Sequence, residues 1–265
     1  MSGFSELVQN FNDLDHKYSA LAFWFWNGQL ENGELVRQID EMSNKGIHGA
    51  FMHARAYLKT PYLEDEWWSA VEACVKRGKE TGFNPWLYDE YAWPSGTVGS
   101  TFDFSYQKPS RVLACGECNM AKGLYSKHYT AKGETDIAGL ADPEAANFFA
   151  AYILSGSGFT PIERDKKVKN CEVLVFFRKI YPRHVDYLNK DTIKYFIELT
   201  HEEYKKHVGK YFGSVIPGIF FDEIYMIANP LPWTDSLPTE FQKRCGYDLL
   251  PLLPALVLDE QQDYR

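Results

Sequence analysis

The chain lacks any apolar run long enough to cross a bilayer, and Met1 to Asn10 shows no basic start followed by an apolar core. Neither a membrane span nor a secretory leader is therefore read from it. Cysteine is sparse: Cys74, Cys115, Cys118, Cys171 and Cys245 are odd in number and scattered. That argues against a disulfide framework and for a reduced, cytoplasmic setting. Basic residues are outnumbered, 28 Lys and Arg against 36 Asp and Glu, for a net charge of −8. Such a surface repels a phosphate backbone, so neither nucleic acid nor membrane is an expected partner. Ser155-Gly156-Ser157-Gly158 lacks the Lys-Ser/Thr of a phosphate loop and reads as a flexible turn. There is neither a G-x-S-x-G nucleophile elbow nor a dinucleotide fingerprint, and no cofactor is expected.

What the chain has is aromatic side chains, 16% of 265 residues, which suit a well-packed core with a ligand cleft. The first ninety residues read as β-α-β-α-β. Leu21 to Trp26 is nearly unbroken apolar sequence, as for a strand buried on both faces. Asn32 is placed to cap a helix carrying Leu35, Ile39 and Met42 on one face. Ile47 to Met52 reads as a second strand, His53 to Leu63 as a loop, and Trp67, Val71 and Cys74 or Val75 as the inner stripe of a second helix. A third strand reaches Asp89. Three strands separated by such helices imply right-handed crossovers and a parallel sheet.

The alternation stops between Phe102 and Asn170. Arg111 to Asn119, Gly123 to Thr130, Asn147 to Leu154 and Cys171 to Phe177 look strand-like, and 103–170 is expected to be an antiparallel β insertion. Cys171 to Phe177 either closes that insertion or belongs to the barrel. Helical periodicity resumes over Asp191 to Lys206, Pro217-Gly218 precedes a strand ending in Asp222-Glu223, and Thr239 to Cys245 and Leu249 to Leu258 suggest final helices. The expected fold is α/β, a (β/α) TIM-type barrel occupying 1–265 as one domain. About five of the eight strands of such a barrel are counted, so the barrel is incomplete or the chain is a piece of a longer protein.

Two acidic pairs carry the chemistry. Asp89-Glu90 and Asp222-Glu223 each stand where an apolar strand runs out, which is where a (β/α) barrel holds its active site. Two carboxyls facing one substrate are the working parts of a glycoside hydrolase. Tyr91-Ala92-Trp93-Pro94-Ser95-Gly96 follows the first pair, and rings beside acids suit the C–H faces and hydroxyls of a sugar.

In order along the chain stand Trp24-Phe25-Trp26-Asn27-Gly28, Phe51-Met52-His53-Ala54-Arg55, Leu58-Lys59-Thr60-Pro61-Tyr62-Leu63, Leu87-Tyr88-Asp89-Glu90, Trp93-Pro94-Ser95-Gly96, Val185-Asp186-Tyr187-Leu188-Asn189 and Gly218-Ile219-Phe220-Phe221-Asp222-Glu223. Together they resemble bacterial glycoside hydrolases of the α-L-rhamnosidase type, family 106 and its relatives, from about Ala20 to Leu258. The resemblance implies an inverting hydrolysis of a small glycoside such as a rhamnoside, on the N-terminal part of a longer barrel. It also admits a calcium site whose ligands the sequence does not place.

Glu223 is the first choice for general acid, with Asp222 on the opposite face if the strand stays regular. Its bland alternative is a strand-end acid that caps a helix or holds an arginine. Asp89 and Glu90 are the candidate partners, as base for water or as hydroxyl ligands. Their bland role is to anchor the loop from Tyr91 to Ser100. Trp26, Tyr88 and Trp93 are candidate sugar platforms and Asn27 a hydroxyl ligand, while His53 and Arg55, at spacing two, point the same way. His48 reads as a packing residue. Cys115-Gly116-Glu117-Cys118 has no second pair or nearby His and reads as two packed thiols, so no metal ligand is assigned.

The competing reading is a non-catalytic carbohydrate-binding or interaction protein derived from a truncated glycosidase barrel. The open sheet edges of an incomplete barrel then predict a homo-oligomer. A barrel lyase or isomerase using His53 with Glu223 is a third reading, without a separate sign in the residues.

Overall fold

The computed structural model describes residues 3–12, 19–99, 110–140, 147–156, 158–224, 226 and 231–258. In chain order the elements are α1 (Gly3–Asn12), β1 (Ala22–Gly28), α2 (Asn32–Asn44), β2 (Gly49–Leu58), α3 (Asp65–Thr81) and β3 (Asn84–Tyr91). Then come β4 (Met120–Asp136), β5 (Asn147–Ser155), β6 (Gly158–Ile162) and β7 (Lys167–Val185). The last elements are α4 (Lys190–Leu199), α5 (His201–Val208), β8 (Ile219–Phe220), β9 (Leu231–Trp233) and α6 (Leu237–Cys245). The chain divides into two compact units, Met1–Ala114 with Ile193–Ile224, and Cys115–Thr192 with Tyr225–Arg265.

The first unit is built on a parallel sheet in the order β1-β2-β3-β8. Alternation along the strands sends Trp26, Ala50, Met52, Ala54 and Leu87 to one face, where all are buried. The helices pack there: Trp24 donates Nε1–H to Gln38 of α2 at 2.6 Å, and Trp26 meets Trp67 of α3 edge-on at 5.1 Å. Gly78 lets α3 lie against the start of β3, because a Cβ there would stand 2.6 Å from the Phe83 carbonyl oxygen and 2.8 Å from Pro85 Cδ. Gly82, at φ 78°, ends α3 in the left-handed conformation that glycine adopts without penalty. Asn32 opens α2 without capping it; Glu31 is the N-cap residue, and the Asn32 amide instead donates to Ser69 Oγ of α3.

The opposite face carries rings. Phe23, Phe51 and Phe220 meet pairwise at 5.1–5.2 Å between centroids, and His53 stacks on Tyr88 at 3.6 Å. Phe23 and Phe25 are 45% and 50% exposed. The expectation that β1 is buried on both faces therefore does not hold: α2 and α3 cover one face of it, and the ring face stays accessible.

The second unit is an antiparallel sheet in the order β6-β5-β7-β4-β9. Its long strands β4 and β7 pair over most of their length, with Tyr125 opposite Phe177 and Lys127 opposite Val175. Leu174 and Phe176 join Leu124, Tyr152, Trp233, Leu249 and Leu253 in one apolar cluster; Val173, Val175 and Phe177 join Ala131, Ile137, Ala151 and Val168 in another. Because β alternation splits this run between two faces, the segment from Cys171 to Phe177 is nearly continuous in apolar residues.

The TIM-type barrel is corrected by this topology. The run Cys171–Phe177 pairs antiparallel with β4 and β5, not with the parallel strands. Four parallel strands remain in an open row, and among the described residues β1 and β8 do not pair to close it. The fold is a mixed α/β arrangement of one parallel and one antiparallel sheet. Several local expectations change with it. β2 runs on to Leu58, through part of the expected loop. Residues from Arg111 to Asn119 form short 3-10 turns. The helix expected over Asp191 to Lys206 breaks at Thr200, and the Pro-rich stretch Leu250–Leu256 is a 3-10 helix. Within 103–170, residues 103–109, 141–146 and 157 lie outside the described ones.

Candidate functional site

The C-terminal ends of β2, β3 and β8 bring several expected side chains together in the first unit. β8 stops at Phe220, so strict alternation is lost before the acids. Asp222 still lies toward the ring face: Tyr88 donates its hydroxyl hydrogen to Asp222 Oδ2, and the Tyr88 ring stacks on Phe220 at 5.6 Å. Asp222 and Glu223 are not separated onto opposite faces; their side chains are hydrogen-bonded to one another. Burial pushes the Asp222 carboxyl up, but hydrogen bonds from Glu223 and Tyr88 outweigh it and hold its pKa below the usual range. The exposed Glu223, bonded to that carboxylate and beside its charge, is held above its ordinary value. Of the two, Glu223, the solvent-facing member, is therefore the more readily protonated.

Asp89 sits behind this pair. It is fully buried, and Ser95 Oγ donates to its Oδ1 at 2.5 Å while accepting the Asp222 amide N–H at 2.9 Å. Its Oδ2 lies 3.4 Å from His201 Nε2 of α5, near enough to pair but not aligned as a hydrogen bond. Burial pushes the Asp89 carboxyl up to about 8, against the pull of Ser95, and burial pushes His201 down. The Thr200 hydroxyl donates to the Phe196 carbonyl, so its oxygen accepts from His201 Nδ1–H at 2.9 Å. That leaves Nε2 as the bare nitrogen facing Asp89 when His201 is neutral.

Glu90 is closed off from ligand. Its two oxygens accept the backbone N–H groups of Tyr91, Thr97, Val98 and Gly99 at 2.7–2.8 Å, and the Thr97 hydroxyl at 3.0 Å. It winds the loop after β3 around itself. Burial raises its pKa against the pull of those amides.

The remaining candidates divide. His53 is buried, donates Nε2–H to the Ala92 carbonyl at 3.0 Å, and is held down to about 4 chiefly by burial, so it is a neutral ring. Arg55 lies over the rings of Trp93, at 4.1 Å, and Phe25, at 4.9 Å. Trp93 is 37% exposed. Asn27 is exposed but uses its amide to hold the Ala56 carbonyl at 2.6 Å. Trp26 is not brought to this mouth; at 1% exposure it lies on the helix-covered face. Ser95, Thr97 and His201 were missed by the sequence reading. Ser95 stands in a motif that was noticed, but nothing in the sequence marks His201 as the neighbour of Asp89.

Among the described residues, no cluster of three or more His, Cys, Asp and Glu side chains is arranged to hold a metal ion. Cys115 and Cys118 are both exposed, not packed thiols. No described helix is long and apolar enough to cross a membrane.

Residues 182–259 match the family model of the α-L-rhamnosidases, glycoside hydrolase family 106. That span contains Val185 to Asn189 and Gly218 to Glu223, and it bears out the resemblance read from them. Among solved structures, a rhamnosidase from Novosphingobium sp. PP1Y shares this fold, with a TM-score of 0.54 at 14% identity. The alignment covers 94% of this chain and 42% of that one, so the chain spans under half the length of that rhamnosidase. No curated protein matches the chain.

Proposed function

We propose that the first unit carries the acid side of a glycoside hydrolase active site, with an α-L-rhamnoside as the first substrate to test. The observation that carries this is the hydrogen-bonded Asp222–Glu223 pair at the mouth of a ring-lined sheet face, with the exposed partner the more readily protonated. A glycosidase acid must stay protonated at working pH and reach the leaving oxygen. Glu223 is exposed, and its pKa is displaced in the direction an acid needs. Asp222 keeps its negative charge next to it, and Tyr88 fixes Asp222. Trp93, partly exposed and in contact with Arg55, lines the same mouth.

The partner carboxylate in a hydrolase of this kind stands roughly 5–9.5 Å from the acid, across the sugar. Asp222 is bonded directly to Glu223, Glu90 is sealed by five donors, and Asp89 is buried against Ser95 and His201. In this reading Asp89 and Glu90 shape the site, and the base comes from residues outside those described. The same gap favours a second reading, a carbohydrate-binding protein without turnover. Incubating the protein with p-nitrophenyl α-L-rhamnoside separates them. Release of nitrophenol above the buffer rate supports hydrolysis; saturable sugar binding with no release supports the second reading.

A further inference from the structure

Arg55 is the unexplained charge at this mouth. Its guanidinium lies over two rings, Trp93 at 4.1 Å and Phe25 at 4.9 Å, and both rings are partly exposed. Among the described residues it makes no ion pair and no hydrogen bond, so its N–H groups are left without an acceptor. Ring contacts of this kind consume none of the five N–H donors of a guanidinium, so the fork remains available to a ligand. Such a fork matches a planar carboxylate, which it grips through two parallel bonds. Neighbouring cations do not compete, because buried His53 is neutral.

Placement within the sheet separates this cation from the acids. Arg55 lies at the end of β2 and leans on β1 through Phe25, whereas Asp222 and Glu223 follow β8. β3 lies between β2 and β8. Two strand spacings amount to about 10 Å, room for a sugar unit beside the one whose bond is cleaved. That distance also keeps a bound anion away from the charge on Asp222.

We propose that Arg55, lying against Trp93 and Phe25, binds the carboxylate of a uronate unit, and that the substrate is an acidic oligosaccharide in which the cleaved sugar is linked to that unit. This rests on the reading that the mouth holds carbohydrate, and it adds the class of the neighbouring sugar. The acid–arginine contact is a bidentate hydrogen-bonded ion pair with no covalent step.

The test measures binding by calorimetry of two probes, a rhamnosyl-glucuronic acid disaccharide and its methyl ester, which differ only in the charge and acceptor capacity of one group. The expected result is at least 10-fold tighter binding of the acid, a preference that shrinks in high salt and disappears in Arg55→Gln. Arg55→Lys keeps the charge but not the fork and is expected to retain part of the preference. Equal affinities for acid and ester in the unaltered protein overturn the proposal, as does failure of both to bind; neither outcome depends on whether a variant folds. An acid preference without any turnover would sink the hydrolysis reading alone. Turnover of a neutral rhamnoside with no acid preference would sink this proposal alone.

Discussion

The Tyr88 hydroxyl donates its hydrogen to Asp222 Oδ2, joining β3 to the end of β8 across 134 positions of sequence. This bond favours the charged form of Asp222, and a charged Asp222 favours protonation of Glu223. Tyr88→Phe removes the donor and keeps the ring stacked between His53 and Phe220. A hydrogen bond to a charged group contributes about 1.5–3 kcal/mol, which corresponds to roughly 10–100-fold in rate if it acts on the reacting state. The expected outcome is a fall of that order in rhamnoside hydrolysis with an unchanged circular dichroism spectrum. An unchanged rate would show that the contact does not support the chemistry.

Asp222→Asn separates the two acids electrostatically. Glu223 is held high first by its hydrogen bond to Asp222 and then by that residue's charge. A general acid works while protonated, so activity should be flat below its pKa and fall as pH rises through it. With the charge removed, the Glu223 pKa drops toward the ordinary glutamate value, and the alkaline limb of the pH–rate curve should move to lower pH. A limb that stays in place would assign it to another group.

Asp89 gives a stability prediction with a definite sign. Its folded pKa is about 8 against an unfolded value of 3.8. Folding therefore favours the protonated form: the contribution is fully present below 3.8 and is lost as pH rises toward about 8. His201, which faces it, acts oppositely, because its depressed pKa takes stability away as pH falls below 6.5. Above about pH 7 His201 no longer contributes a slope, whereas the Asp89 contribution is still being lost as pH rises through about 8. The Tm of the unaltered protein is expected to fall over that rise in pH, and Asp89→Asn should flatten the fall. Parallel curves for the two proteins would mean that Asp89 is already ionised in the fold.

Glu90→Gln replaces one acceptor oxygen by an NH2 group that faces backbone donors. Each buried amide left without an acceptor costs about 1–3 kcal/mol, and four N–H groups converge on this carboxyl. The variant should unfold at lower temperature and exchange the amide hydrogens of Thr97, Val98 and Gly99 faster. Unaltered protection of these three amides would contradict the anchoring role.

The legible part of the fold was its local rhythm. The runs of β1, β2 and β3 and the stripes of α2 and α3 follow from side-chain periodicity alone, and the gathering of Tyr88, His53 and Asp222 at one mouth follows from strand ends converging. What a run pairs with is set by long-range register, and Cys171 to Phe177 shows the cost: the same apolar stretch suits a barrel strand or a sheet buried on two faces. Trp26 illustrates the parallel limit for sites. Its position near a strand end suggested the mouth, but alternation put it against Trp67 in the core. Glu90 and Asp89 are adjacent, yet one is wrapped by its own loop and the other lies against α5, a partner that no local pattern reveals.

The central claim is that Glu223 delivers the proton to the leaving oxygen. It is tested most directly by comparing Glu223→Gln with the unaltered protein on two rhamnosides, one with a dinitrophenyl leaving group and one with an alkyl leaving group. Loss of a general acid costs about 10²–10⁴-fold where protonation is needed. The account predicts a loss in that range on the alkyl rhamnoside and a much smaller one on the dinitrophenyl rhamnoside, whose leaving group departs as an anion. Equal losses on both substrates, or none on either, would contradict it.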